Sequence, residues 1–176
     1  LERFPWREPQ GQRRVVFAGS MDSAANIDGV EWLLDHVWPR VVEQVSDARM
    51  TVVGKSPPAH LVRKASHVRG VEFTGRVAEV APYLSGADVF VIPLRVGGGT
   101  RLKAYEAMAS GVPIVGSPVG GAREILADSR NALTFEPGNA EALATGVHRL
   151  ARDPARRDAL SARALPARPQ EPADLR

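Results

Sequence analysis

Two rhythms of apolar residues alternate along the chain. Short, nearly unbroken apolar runs suited to buried strands occur at Arg14-Val-Val-Phe-Ala18, Met50-Thr-Val-Val53, Val71-Glu-Phe-Thr74, Asp88-Val-Phe-Val-Ile-Pro93, Gly111-Val-Pro-Ile-Val115 and Ala132-Leu-Thr-Phe135. The stretches between them carry apolar residues at helical spacing. Asn26 is placed as the N-cap of a first helix whose inward stripe is Ile27, Val30, Leu33, Leu34 and Val37. Pro39 stops or kinks that helix, and as a first-turn residue starts a second one through Val45. Pro57-Pro58 opens a short helix with Leu61, Val62 and Ala65; Val80, Leu84 and Ala87 mark another, and Leu102 to Ala109 a further one. Arg123 to Leu126 reads as a helical turn. Asn139 caps an amphipathic helix carrying Leu143, Val147, Leu150 and Ala151, and Asp153-Pro154 ends it and begins a last helix with Leu160 as its apolar contact.

Strands that alternate with helices in this way predict an α/β fold, a single domain built on a doubly wound parallel six-stranded sheet. Such sheets bind ligands outside the carboxyl ends of their strands. Here those ends carry Gly19, Gly54, Gly75, Gly97 and Gly116. The domain is expected to span residues 14–165. Residues 1–13 are polar and rich in Pro and Gly, and read as a linker; residues 166–176, Pro-rich and unable to bury a core, read as a disordered tail.

Composition removes several function classes. With 176 residues the chain is long enough for one well-cored domain, and the absence of cysteine rules out disulfides, thiolate metal sites and thiol catalysis. A formal charge of +3, with basic residues spread thinly, argues against a nucleic-acid partner. No apolar run approaches the roughly 20 residues of a membrane-spanning helix, and the opening does not resemble a signal peptide, so a cytoplasmic protein is expected. The lack of an initiating Met suggests a piece of a longer chain. His36, His60, His67 and His148 show no metal-ligand spacing, so no metal is expected. Trp32 and Trp38 lie on or beside the apolar helical stripe and are assigned to the core, while Asp88 is assigned to the turn before its strand and Asp22 to a helix start.

The chemistry concentrates between Gly97 and Glu106. A buried strand, three glycines and a helix start follow one another there, and Gly97, Gly98 and Gly99 allow a ligand to approach the backbone closely. The first turn of the helix offers unpaired N–H groups that favour an anion. Arg101 and Lys103 stand in that same turn, where the helix dipole disfavours cations by about 0.3–1 kcal/mol each. An anionic ligand such as a diphosphate explains their placement. The plainer alternative is a glycine loop before a surface helix, with a Lys103–Glu106 pair worth about 0.2–0.5 kcal/mol.

Taken together, these residues resemble the group 1 (family 4) glycosyltransferases, retaining enzymes of the GT-B fold that use nucleotide sugars. The likeness rests on Phe17-Ala-Gly-Ser-Met-Asp22 with Asn26 and Trp32, Val53-Gly54, Phe73-Thr-Gly-Arg-Val77, Ala87 to Pro93, Gly97 to Lys103, Glu106 to Val115, and Gly120-Gly121 with Glu124. It runs in unbroken order from about Val15 to Leu165 and covers only the C-terminal, Rossmann-like half of such an enzyme. The resemblance implies that the acceptor domain precedes residues 1–13, that the donor substrate is a nucleotide diphosphate-sugar with no cofactor, and that the acceptor is a sugar, lipid-linked or other hydroxyl compound. It implies that this domain alone is inactive as a transferase, and leaves membrane association undecided.

By position, Glu106 matches the second glutamate of the family's paired-glutamate motif, whose carboxylate takes the ribose hydroxyls; the first glutamate falls on Gly98, which removes the usual contact with the donor sugar. The commoner pattern also has an arginine and a lysine on the diphosphate where this chain has Ser20 and Asn26. Arg101 and Lys103 are the expected replacements and catalytic cations, with Arg95 a weaker one. The expected donor-binding set is Gly19, Ser20, Gly75, Arg76, Val77, Gly98, Gly99, Thr100, Arg101, Leu102, Lys103 and Glu106, with the base near Gly75 to Val77. Arg76 either stacks on the base or is an exposed turn residue. Gly120 and Gly121 either line the crevice or ease packing. Two other functions remain open: a nucleotide-sugar epimerase of the same architecture, and a non-catalytic interaction domain. A dinucleotide-binding dehydrogenase fits less well, because the turn after Ala18 lacks the required glycine spacing.

Overall fold

A computed structural model describes residues 13–97 and 101–164, except for the side chain of Arg101. Six strands form one sheet: β1 (Arg14–Ala18), β2 (Arg49–Val53), β3 (Val71–Gly75), β4 (Val89–Ile92), β5 (Ile114–Gly116) and β6 (Ala132–Thr134). Their spatial order is β3-β2-β1-β4-β5-β6 and every pairing is parallel. All six coincide with the apolar runs to within a few residues. The expected doubly wound α/β sheet is therefore the observed one.

Successive side chains on a strand point to opposite faces, and both faces here are buried. On one, Val15, Phe17, Met50, Val52, Val89, Val91 and Val115 meet the buried residues of α1 (Ala24–Trp32), α2 (Trp38–Gln44), α3 (Ala59–Ser66) and α6 (Ala140–Arg152). On the other, Val16, Ala18, Val53, Phe90, Ile92 and Ile114 pack against α4 (Ala81–Ser85) and α5 (Arg101–Ala109), with Leu84, Ala104, Ala107 and Met108 as the contacts. Helix α7 (Pro154–Ala164) adds Leu160 to the first core and Ala164 to the second. Trp32 and Trp38 are both core residues, as their positions foretold.

The first helix departs from expectation in two ways. It begins at Ala24 with Ser23 at the N-cap, not at Asn26, because the intervening alanines are strong helix formers. Asn26 instead turns its amide back, and Nδ2 donates to the Ser20 carbonyl at 2.8 Å. Pro39 falls in the first turn of α2, as expected, but the helix does not stop before it: one π-helical turn, Leu33–Val37, joins α1 to α2. A proline removes one backbone donor and crowds the preceding turn, and the wider π turn accommodates both. Asn139 does cap α6, its Oδ1 accepting from Ala142 N at 2.9 Å. The predicted tail and most of the predicted linker lie outside the described residues.

Candidate functional site

Strand order reverses between β1 and β4, which pair through Val15 with Val89 and Val16 with Phe90. From β1 the chain leaves to α1 on one face, and from β4 to α5 on the other. In open α/β sheets, two such departures form the crevice that takes ligands, at the carboxyl ends of the strands.

The β1 side of the crevice is built from two interlocked turns. Gly19 N donates to Val53 O and Met21 N to Lys55 O, each at 2.9 Å. A Cβ on Gly54 would stand 1.8 Å from the Gly19 carbonyl, so only glycine permits this approach. The interlock carries Lys55 to the β1 turn, where its ammonium lies 3.0 Å from Asp22 Oδ2. Ser20 Oγ donates to the other oxygen, Asp22 Oδ1, at 2.6 Å. The Ser20 hydroxyl first, and then Lys55, hold the Asp22 carboxyl below the usual carboxylate range.

On the β4 side, Gly97 adopts a φ of 93° and sits so close to α1 that a Cβ there would be 2.9 Å from the Ala25 side chain. This contact brings the approach to α5 against the first turn of α1. Arg95, a weaker candidate for diphosphate binding, is directed elsewhere: its Nε donates to Asp28 Oδ2 at 3.1 Å, and a second nitrogen bonds Asp28 Oδ1. Asp28 strengthens the hold on the proton of Arg95, raising its pKa. The guanidinium also lies 5.8 Å from the Trp32 ring centre, and Trp32 stacks on Phe135 with centroids 6.4 Å apart.

Within α5, Lys103 Nζ is 2.6 Å from Glu106 Oε2, with the two side chains 27% and 15% exposed. The pair expected from helical spacing is thus present, and it is partly enclosed. Leu102, by contrast, is exposed. Gly98, Gly99 and Thr100, and the side chain of Arg101, lie outside the described residues.

Gly75 ends the edge strand β3 with a φ of 68°, and no atom stands within 4 Å of the position a Cβ would take. Arg76 beside it is exposed, while Val77 packs partly into the second core. Strand β2 separates this turn from the β1 turn. Of the two glycines after β5, Gly121 is buried and Gly120 is exposed with a φ of 55°. Gly19 and Ser20 thus follow β1, and Gly97 follows β4, the two switch-point strands, while Gly75 to Val77 lie two strands from β1. Lys55 and the Asp22 contact were missed from sequence; the available signal was a cation immediately after Gly54, one of the strand-end glycines.

Comparison with known proteins gives a consistent result. The sequence model described as Glycosyl transferases group 1 matches residues 12–153. The GDP-mannose-dependent alpha-(1-6)-phosphatidylinositol monomannoside mannosyltransferase of Mycobacterium tuberculosis is 32% identical over 136 residues, covering 70% of this chain and 35% of that protein. The phosphatidyl-myo-inositol mannosyltransferase of Mycobacterium leprae is 30% identical over 148 residues, 82% of this chain and 39% of that protein. The chain thus spans well under half the length of these relatives. In fold it is similar to the crystal structure of the C-terminal domain of a glycosyl transferase group 1 family protein from Francisella tularensis, with a TM-score of 0.73, 18% identity and coverage of 92% of this chain and 91% of that one. With the matched region taking in every strand of the sheet, the chain belongs to the group 1 glycosyltransferases.

Proposed function

We propose that this chain is the donor-binding domain of a retaining glycosyltransferase, holding a nucleotide diphosphate-sugar at the β1/β4 switch point while a sugar is passed to an acceptor hydroxyl. The observation that carries the reading is the contact of Gly97, on the approach to α5, with Ala25 in the first turn of α1, the helix that follows the Gly19-Ser20 turn. A backbone turn and a helix start on either side of a crevice suit a diphosphate. The relatives named as GDP-mannose-dependent support a guanosine donor.

Lys103 and Glu106 supply the specific contacts. In the structure each satisfies the other at 2.6 Å. With a donor in place, Lys103 exchanges its carboxylate partner for the diphosphate, and Glu106 takes the vicinal ribose hydroxyls, which a carboxylate can accept as a bidentate pair. As the bond to the sugar breaks, negative charge grows on the leaving diphosphate. Lys103, once it has exchanged partners, stabilises that charge together with Arg101 and the N–H groups of the first turn of α5.

Titration calorimetry with GDP, UDP and dTDP tests the reading. GDP is expected to bind tightest, and Glu106→Gln to weaken it about tenfold, as for a lost hydrogen bond to a charged group. The effect of that substitution should shrink with 2′,3′-dideoxy-GDP. No binding of any of the three at millimolar concentration would overturn the proposal.

A further inference from the structure

We infer that Lys55 is a diphosphate-binding residue of the donor site, delivered there by the packing of the β2 turn onto the β1 turn. The inference rests on the donor-binding reading and extends it to a residue on a different strand.

A leaving diphosphate is stabilised by cations and hydrogen-bond donors aimed at the charge that develops on it. The β1 turn has none of its own: from Gly19 to Asn26 the residues are Gly, Ser, Met, Asp, Ser, Ala, Ala and Asn. Arg95 is committed to Asp28 and to the face of Trp32. Lys103 belongs to α5, on the β4 side. Among the described residues, Lys55 is a cation that the fold brings to the β1 turn.

Its position is fixed by backbone features. Gly54 approaches Gly19 more closely than any side chain would allow, Met21 N binds the Lys55 carbonyl, and Ser56 turns the chain away with a φ of 57°. The result is a backbone held rigidly at the rim with a flexible side chain above it. Lysine suits such a post, being a compact charge on a long stem.

Asp22 sets the resting place of the ammonium, 3.0 Å from Oδ2. Both members are open to solvent, with side chains 44% and 53% exposed, so the pair is weakly held and a change of partner costs little. A phosphate arriving at the Ser20 backbone finds the ammonium one carboxylate away.

Calorimetry decides the matter, using whichever of GDP, UDP and dTDP the unaltered chain binds tightest, with the matching nucleoside monophosphate and nucleoside. Lys55→Ala is expected to weaken the diphosphate about tenfold, the monophosphate less, and the nucleoside not at all. Lys55→Arg should restore most of the loss. Lys64→Ala, which removes a cation paired with Glu31 and Asp35 away from the crevice, should change nothing. Unchanged diphosphate affinity in Lys55→Ala, or an equal loss for the nucleoside, overturns the assignment while leaving the donor reading intact. Failure of the unaltered chain to bind any nucleotide overturns the donor reading, and this assignment with it.

Discussion

Arg157 of α7 and Asp88 at the foot of β4 form a buried ion pair, 3.8 Å apart, with side chains 3% and 1% exposed. Each has a further anchor: Arg157 donates to the Leu150 carbonyl at 2.6 Å, and Asp88 Oδ2 accepts from Arg14 N at 3.0 Å. The last helix is thereby pinned to the seam between β1 and β4. Removing one partner takes the opposite charge away from a buried group, so Arg157→Ala and Asp88→Ala are each expected to cost about 3–5 kcal/mol. Urea denaturation followed by circular dichroism measures this; a loss below 1 kcal/mol, on the order of an exposed pair, would contradict it.

Gly54 and Gly138 offer a controlled contrast. At Gly54 an added Cβ collides with backbone, 1.8 Å from the Gly19 carbonyl, so the two turns must separate. At Gly138 the space is open, and only the φ of 86° opposes a side chain. Gly138→Ala should cost about 1–2 kcal/mol. Gly54→Ala should cost more and should also weaken nucleotide binding, which Gly138→Ala leaves unchanged. Equal stability losses in the two variants would show that the interlock yields easily.

Lys103→Ala should lower affinity for a nucleoside diphosphate by about tenfold or more, the worth of a hydrogen bond to a charged group. The matching nucleoside should bind nearly as before. Calorimetry on the two ligands reads this directly, and an unchanged diphosphate affinity would remove Lys103 from the site.

Asp128 makes a prediction for acid. Its Oδ1 accepts from Thr134 N at 2.8 Å and its Oδ2 from Ser129 Oγ at 3.1 Å, and the backbone bond from Thr134 is the main cause of a carboxyl pKa below the ordinary 3.8. A group depressed on folding stabilises the native state above its unfolded pKa and loses that contribution as pH falls through the folded value. Denaturation midpoints should therefore drop below about pH 4, and the drop should be shallower in Asp128→Asn. Parallel curves for the two proteins would argue against the linkage.

Much of the fold could be read from the chain because the strands are buried on both faces. Val89-Phe-Val-Ile92 has no polar side to confuse the pattern, and strong punctuation by Gly and Pro bounds it. Asn139 was legible for a different reason: a cap acts on residues three positions away. Asn26 misled because Ser23 and Asn26 are both capping residues, and the choice between them depends on what the Asn26 amide meets across the turn. The partners of Asp28, Asp22 and Asp88 were out of reach, since they are Arg95, Lys55 and Arg157, brought near only by the completed sheet. The helical pair Lys103–Glu106 was within reach for the opposite reason, being local.

The adjacency of β1 and β4 also governs when the crevice comes into being. Strands β1, β2 and β3 are neighbours in sequence as well as in space, so they can associate while the rest of the chain is still being made. The inner edge of β1, however, waits without its partner until Val89–Ile92 has left the ribosome, and α5 follows only after that. A truncated product ending before β4 would carry the Gly19 turn and Lys55 beside a bare strand edge, a template for pairing with another chain. The crevice is thus a late product of folding, begun by the pairing that covers the inner edge of β1 and completed only when α5 follows β4.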